Sequence, residues 1–126
     1  MDLTLTEEQA LIQDTARRFA DSELAPVAAE LDRSGDHAIL KRNCRQLAEL
    51  GFMGLNIDSR YGGTEAGVVA FSLAVTEIAR ACASTAVTLS VTNMVAEVIR
   101  LWAAKSRRHS TCRDSAAATT SAAASA

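Results

Sequence analysis

The sequence predicts an all-α fold of about five helices, and its composition and periodicity point to this class. Hydrophobic residues make up 48% of the 126 residues and charged residues 22%, with one proline and six glycines. Apolar side chains recur at spacings of three and four through most of the first hundred residues, which is the period of an amphipathic helix. The length and a net charge of −2 are typical of one soluble helical domain.

The first two helices are predicted from their end signals. Thr6 and Gln9 form a capping-box pair, and Glu7 and Glu8 between them make the first turn acidic, so a helix begins there. Pro26 disfavours helical geometry at Ala25 and predicts a bend, after which a short second helix ends at Gly35. The apolar face of the first helix comprises Ile12, Ala16, Phe19 and Ala20.

A third helix and a loop follow. Asp36 is the predicted N-cap, and Gly51 is placed to take the left-handed conformation that ends a helix. The expected apolar stripe comprises Leu40, Cys44, Leu47 and Leu50. Gly62 and Gly63 allow a close backbone approach, but they lack the Gly-x-Gly-x-x-Gly frame of a phosphate cradle, which favours a structural loop.

The fourth and fifth helices are the most apolar. Val68, Phe71, Val75, Ile78 and Cys82 occur at helical spacing and predict a central, mostly buried helix. The fifth helix is predicted to be capped by Ser84 or Thr85. Within it Val87, Val91 and Val95 recur every four residues, with small polar residues such as Thr88 between them. This pattern is compatible with ordinary helix packing or with one wall of an elongated apolar pocket.

Several kinds of site are not indicated by the sequence. The three cysteines Cys44, Cys82 and Cys112 are far apart and form no CxxC pair, so neither a zinc site nor a disulfide framework is predicted. His37 beside Asp36 is interpreted as a surface histidine and not as a general base. We therefore assign no catalytic, metal-binding or cofactor-binding residue.

Membrane and nucleic-acid partners are not expected either. The basic run "KSRRH" at 105–109 is short and is interpreted as a solvated segment. The longest apolar stretch, residues 67–75, has about half of the ~20 residues that a membrane span requires. With no secretory leader at its start, the protein is expected in the cytoplasm.

Four segments together resemble the N-terminal helical domain of the acyl-CoA dehydrogenase family of flavoproteins. They are "RRFADSELAPVAAELDRSG", "LAELGFMGL", "YGG" and "EIARACASTAVTLSVTN", in this order and at these separations. The resemblance covers about residues 3–100. It implies a domain at 1–102 that is followed, in the family, by a middle β-barrel-like domain and a C-terminal four-helix bundle, usually in a homotetramer.

The resemblance also implies a chemistry and a binding site. Family members bind FAD and remove hydrogens from the α and β carbons of an acyl-CoA thioester, and an electron-transferring flavoprotein commonly reoxidises the flavin. The base and the main flavin contacts belong to the other two domains, so FAD is not expected on this chain alone. The part of the site that carries over is the acyl-chain wall, at Val87, Thr88, Val91 and Val95.

This sequence departs from the family pattern at its end. Asp58 and Thr76 are tolerable variations, but the likeness stops after Arg100, and residues 115–126 contain only Ser, Ala and Thr. We predict a non-homologous, low-complexity tail at 103–126, disordered or marginally helical. Codons compatible with "WAAKSR", read two bases later, can spell Gly-Ser-Glu-Glu-Gln, a family-like continuation, which favours a shifted reading frame over a selected flexible linker.

The function expected from these observations is that of an N-terminal fragment of an acyl-CoA dehydrogenase, inactive on its own. A domain that normally packs against two others leaves an apolar face uncovered, so self-association is expected. The alternative is a free-standing helical interaction module without chemistry.

Overall fold

Five α-helices and the short turns between them make up the part of the chain that the computed structural model describes, residues 4–102. The helices are α1 (Glu7–Phe19), α2 (Ala25–Ser34), α3 (His37–Glu49), α4 (Gly67–Ala81) and α5 (Ala83–Trp102). No strand occurs within the described range. The predicted all-α class with about five helices is confirmed, and the tail predicted at 103–126 lies outside the described residues.

The start of α1 has the predicted capping box. The Thr6 hydroxyl oxygen accepts a hydrogen bond from the Gln9 amide at 3.2 Å, and the Gln9 side-chain oxygen accepts one from the Thr6 amide at 3.0 Å. Two amides that no helical carbonyl can reach are thereby satisfied. The predicted apolar face is also correct, since Ala16, Phe19 and Ala20 are buried in the core.

The bend predicted at Ala25 is wrong, because the chain there stays helical. A five-residue π-helical turn, Ala20–Leu24, joins α1 to α2, and Ala25 has φ −56° and ψ −42°. The Ala25 amide donates to the carbonyl of Ala20, five residues back. Pro26 then falls in the first turn of α2. A proline is tolerated in a first turn, and the wider π turn shifts the carbonyls that its ring would otherwise meet.

α3 has the predicted ends but a different buried stripe. Gly35 and Gly51 have φ +62° and +79°, and the Asp36 carboxylate accepts the Ala38 amide at 2.8 Å. Leu50 does not belong to the stripe: it lies past the last residue of α3 and is 43% exposed. Asn43 is fully buried beside Leu47 instead, and its amide nitrogen donates to the Thr85 hydroxyl at 3.2 Å.

The segment between α3 and α4 packs tightly on itself. Its 3₁₀ turns, Phe52–Gly54 and Ser59–Tyr61, flank a run in which Leu55 and Ile57 are buried. Gly62 has φ +87°, and a Cβ on Gly63 would lie 2.1 Å from the carbonyl oxygen of Ile57. The predicted close backbone approach is confirmed, and the contact is made by the protein's own chain.

α4 is buried along part of its length only. Ala70, Ala74 and Ile78 are fully buried between α1 and α5, but Val68 and Val69 in the first turn are 74% and 53% exposed. The expectation of a mostly buried helix is therefore wrong at this end. The expectation failed because α4 has apolar residues on several sides, and the sequence does not show which of those sides the other helices cover.

The predicted cap of α5 is also wrong. The helix begins at Ala83, directly after Cys82, whose φ of −151° marks the extended residue between α4 and α5. Thr85 lies inside the helix, buried, with its hydroxyl oxygen 3.1 Å from the Cys82 sulfur. Because this hydroxyl also accepts from Asn43, it ties α3 to the start of α5.

A buried carboxylate joins α1 to α4. Glu77 accepts hydrogen bonds from Arg17 at 2.8 and 3.3 Å, from Gln13 at 3.2 Å and from Arg80 at 3.4 Å. The hydrogen bonds and charge of Arg17 hold the pKa of the Glu77 carboxyl below its ordinary value, against the opposing effect of burial. Arg80 also pairs with Asp21 at 2.7 Å, so the network extends into the π-helical turn.

Candidate functional site

α5 has two apolar sides, of which only one is buried. Ala86, Leu89 and Ala96 pack inward together with Thr85 and Asn93. The opposite side is exposed and almost entirely apolar. We call it the exposed face of α5, and it comprises Val87, Val91, Met94, Val95, Val98 and Leu101. Contiguous apolar surface of this kind marks a binding or packing surface.

The structure places the four predicted site residues along one side of this helix. Val87, Val91 and Val95 are 62%, 45% and 47% exposed and lie on the exposed face. Thr88 lies at its border and is partly buried. Its hydroxyl donates to the Ser84 carbonyl at 3.0 Å, so the hydroxyl proton is used within the helix. The four side chains form a surface and not an enclosed pocket.

Buried amides fix the orientation of this face. The Asn93 amide nitrogen donates to the carbonyls of Phe52 and Leu89 at 3.2 and 3.1 Å, and its oxygen lies 3.5 Å from the Asn56 amide. A buried amide that binds backbone on a neighbouring segment holds both in one register. The turn that begins at Phe52 and the inner side of α5 are thus joined, and the outer side is turned away from the core.

Sequence reasoning missed the lower half of the exposed face. Met94, Val98 and Leu101 continue the stripe beyond Val95, and Trp102 at the end of α5 is 84% exposed. The signal was present, because these residues follow Val91 at spacings of three and four. It was passed over because the interpretation stopped at the residues that the family resemblance singles out.

A concave region lies where the first turn of α4 meets the last turns of α5. This open cleft has a volume of about 260 Å³ and is lined by Asn56, Asp58, Glu65, Gly67, Val68, Glu97 and Arg100. Arg100 binds Glu97 with two hydrogen bonds, at 2.5 and 2.8 Å, and lowers the pKa of that carboxyl. Asp58 pairs with Arg60 at 2.6 Å. These charges are neutralised within the domain.

Within residues 4–102, no cluster of three or more His, Cys, Asp or Glu side chains is arranged to hold a metal ion. In the same range no helix combines the length and apolar character needed to cross a bilayer.

Two groups that could serve a flavin are already occupied within the domain. The glycine pair, which in some proteins leaves room for a phosphate, is filled here by the chain itself, since Gly63 lies against the Ile57 carbonyl. The buried carboxylate Glu77 is committed to Arg17 and Arg80 on the side of α4 that faces α1. Neither group offers a cofactor cradle or an accessible base beside the exposed face of α5.

The comparison with known families identifies the domain. The family described as "Acyl-CoA dehydrogenase, N-terminal domain" matches residues 6–118. The chain belongs to the acyl-CoA dehydrogenase family. The matched range continues past residue 102, so the domain boundary at 102 stays a prediction.

Relatives of known activity agree with this assignment. The chain is 35% identical over 100 residues to the short-chain specific acyl-CoA dehydrogenase of Clostridium acetobutylicum, covering 79% of this chain and 26% of that one. It is 44% identical over 86 residues to benzylmalonyl-CoA dehydrogenase of Aromatoleum aromaticum, covering 68% and 22%. The chain thus spans about a quarter of the length of the curated acyl-CoA dehydrogenases it matches.

Two solved structures contain a domain of the same fold, which makes up about a third of each of those chains. Butyryl-CoA dehydrogenase of Megasphaera elsdenii superposes with a TM-score of 0.80 at 28% identity, covering 92% of this chain and 31% of that one. A chain from work on the electron transferring flavoprotein of Acidaminococcus fermentans superposes with a TM-score of 0.84 at 30% identity, covering 94% and 31%. The fold is that of the N-terminal helical domain of an acyl-CoA dehydrogenase.

Proposed function

We propose that this chain is the N-terminal helical domain of an FAD-dependent acyl-CoA dehydrogenase, and that the exposed face of α5 lines part of its acyl-chain pocket. One observation carries the proposal. The residues that the resemblance assigns to the acyl wall, Val87, Thr88, Val91 and Val95, lie together on a side of α5 that the domain leaves uncovered.

The chemistry of this face suits an acyl chain. Transfer of each methylene from water to an apolar surface contributes about 0.8 kcal/mol. The pocket wall provides this transfer free energy only if it carries no polar group that must stay hydrated. Its three valines meet that condition, and Thr88 meets it through its bond to the Ser84 carbonyl. A dry wall also protects the reacting carbons from water.

The rest of the proposed chemistry belongs to the assembled enzyme. The reaction proposed is the α,β-dehydrogenation of an acyl-CoA thioester, with FAD as cofactor and an electron-transferring flavoprotein as electron acceptor, in the cytoplasm. No catalytic residue is assigned within this chain, and FAD is not expected to bind to it alone. We therefore expect the purified chain to be colourless and to reduce no dye with any acyl-CoA. A stoichiometric flavin spectrum would contradict this.

The test of the wall is Val91→Phe in a reconstructed full-length enzyme. Val91 lies between Thr88 and Val95, and a phenyl ring there should fill the part of the pocket that only a longer acyl chain reaches. We expect kcat/KM for octanoyl-CoA to fall at least about tenfold more than for butyryl-CoA, because a long chain reaches the ring and a short one does not. Leu11→Phe, an exposed position on α1, is the control. An equal loss for both substrates would show that Val91 is not part of the wall.

A further inference from the structure

The exposed face of α5 has the seven-residue repeat of a coiled coil. Apolar residues follow one another at spacings of four, three, four and three, and we call them the α5 seam: Val87, Val91, Met94, Val98 and Leu101. Apolar residues at two positions in every seven are the pattern by which one helix packs lengthwise against another. The buried residues of α5 lie on its other side, so the α5 seam has no partner helix within residues 4–102.

The α5 seam is uncharged. The two charged residues of α5, Glu97 and Arg100, lie outside the seam and bind each other. A helix that binds a membrane surface usually has several Lys and Arg residues beside its apolar face, and α5 lacks such a border. Two copies of an uncharged seam can cover each other without burying a charge, and a symmetric pair of identical surfaces is the commonest form of oligomer.

The exposed area of this surface is close to the minimum for a specific pair. The six residues of the exposed face are between 45% and 62% exposed, and Trp102 beside them is 84% exposed. At about 100 Å² for a fully exposed aliphatic side chain and about 200 Å² for an indole, they offer about 500 Å² of apolar surface per copy. Two copies would bury about 1,000 Å², which is about the least that a specific interface needs. Pairing should therefore be weak and reversible.

The sequence that follows α5 favours one orientation of the pair. The basic run at 105–109 begins three residues after Trp102. In a parallel pair both runs would start from the same end of the interface, and like charges repel within a Debye length of about 8–10 Å. An antiparallel pair starts them from opposite ends. It also sets the N-terminus of each α5 beside the C-terminus of the other, which the helix dipoles favour.

We infer that two copies of this 126-residue chain pair through the α5 seam as an antiparallel, two-fold symmetric dimer. In the alignment that sets Val91 of one copy beside Met94 of the other, each Glu97 lies near Ser90 of the other copy and away from the second Glu97. The inference goes beyond the proposed function and does not depend on it. The same face is proposed as the acyl wall, so pairing is expected of this chain alone and not of an assembled enzyme.

Sedimentation equilibrium of the 126-residue chain tests the pairing. We expect a reversible equilibrium between monomer and dimer with a dissociation constant of about 1–100 μM. Val98→Asp should raise this constant at least about tenfold, because the dimer would bury an unpaired charge. Leu11→Asp, at an exposed position on α1, is the matched control and should leave it unchanged.

Three results would overturn the inference. The first is a chain that stays monomeric, including one whose α5 binds phosphatidylglycerol vesicles instead. The second is an open series of species larger than a dimer, because a two-fold pair closes on itself. The third is an equal effect of Val98→Asp and Leu11→Asp in proteins whose circular dichroism shows them to be folded.

Mixed samples test the orientation. Val91→Lys and Met94→Glu should each weaken self-pairing at least about tenfold. An equimolar mixture of the two should recover the dimer, because the opposite charges then face each other across the antiparallel pair. Val91→Lys mixed with Val91→Glu is the control, since these two charges meet only in a parallel pair. Recovery in the control mixture, or in neither mixture, would overturn the antiparallel pairing.

Discussion

Gly63 lies so close to the backbone of Ile57 that a single added methyl group would force the two segments apart. A Cβ at this position would lie 2.1 Å from the Ile57 carbonyl oxygen, closer than any real contact, and the atom it meets is backbone. We expect Gly63→Ala to reduce the free energy of unfolding by about 3 kcal/mol or more, measured by urea denaturation.

Gly35→Ala is the matched control for that substitution. Gly35 has φ +62°, but a Cβ there has nothing within 4 Å, so only the left-handed backbone conformation opposes alanine, at about 1–2 kcal/mol. A Gly63→Ala protein as stable as Gly35→Ala would show that the loop moves away from Ile57 at little cost.

The sequence predicted the role of single residues correctly where that role depends on their own backbone conformation. It did not predict the role of residues whose burial depends on a partner far away in the sequence. The turns at Gly35 and Gly51 and the cap at Asp36 depend on local conformation, and the structure has all three. Asn43 is buried because Thr85, 42 residues away, accepts a hydrogen bond from its side-chain amide. Neither spacing nor composition indicates such a pairing, so an apolar Leu50 was favoured in its place.

Glu77 links two elements, and its ionisation should make their packing depend on pH. Its folded-state pKa is lowered from 4.5, chiefly by Arg17. The stabilisation is therefore fully present above about pH 4.5 and is lost as the pH falls through the lower, folded-state value. We expect Glu77→Gln to cost about 1–3 kcal/mol at pH 7 and the difference from wild type to shrink below pH 4.5, measured by urea denaturation across pH.

Glu30→Gln, in α2, is the control for the Glu77→Gln substitution. Glu30 lies 3.3 Å from Arg33 in an exposed pair within α2, and such pairs contribute about 0.5 kcal/mol or less. If Glu77→Gln were no more costly than Glu30→Gln at pH 7, the network between α1 and α4 would not stabilise the domain.

The elements themselves were predictable where a local signal ends them. The start of α1, the end of α2 and both ends of α3 carry such signals. The join between α1 and α2 was not predictable, because a proline indicates a break while a π turn has no short sequence signature. Only Val87, Val91 and Val95 of the exposed face of α5 were indicated by the family resemblance. Their apolar period alone also fits ordinary core packing, since periodicity does not tell which apolar side of a helix is covered.

The molecule as a whole presents uncovered apolar surface on α5 and at Val68 and Val69. We expect the isolated chain to self-associate with increasing concentration in sedimentation velocity. Val98→Asp should weaken this association, whereas Leu11→Asp, at an exposed apolar position on α1, should not. Sharp monomeric sedimentation together with a cooperative thermal transition would favour a free-standing interaction module.

The tail at 103–126 is predicted to arise from a shifted reading frame in the gene. We expect the coding DNA after the codon for Leu101 to contain, in one alternative frame, a continuation like that of the family. Sequencing the gene checks this directly. A gene without such a continuation in either alternative frame would show that the Ser-, Ala- and Thr-rich segment is native.

The π-helical turn makes the domain sensitive to chain length in a way that composition does not reveal. Ala20–Leu24 holds one residue more than an α-helical turn would, and each residue of an α-helix advances its side chains by about 100°. Deleting a single residue here would remove the π turn, bring the Pro26 ring against the carbonyl four residues before it, and turn Leu31 away from the core. Substitutions at the exposed positions Asp21 and Ser22 preserve that phase, so these positions should accept many point changes, whereas the segment should reject a one-codon deletion.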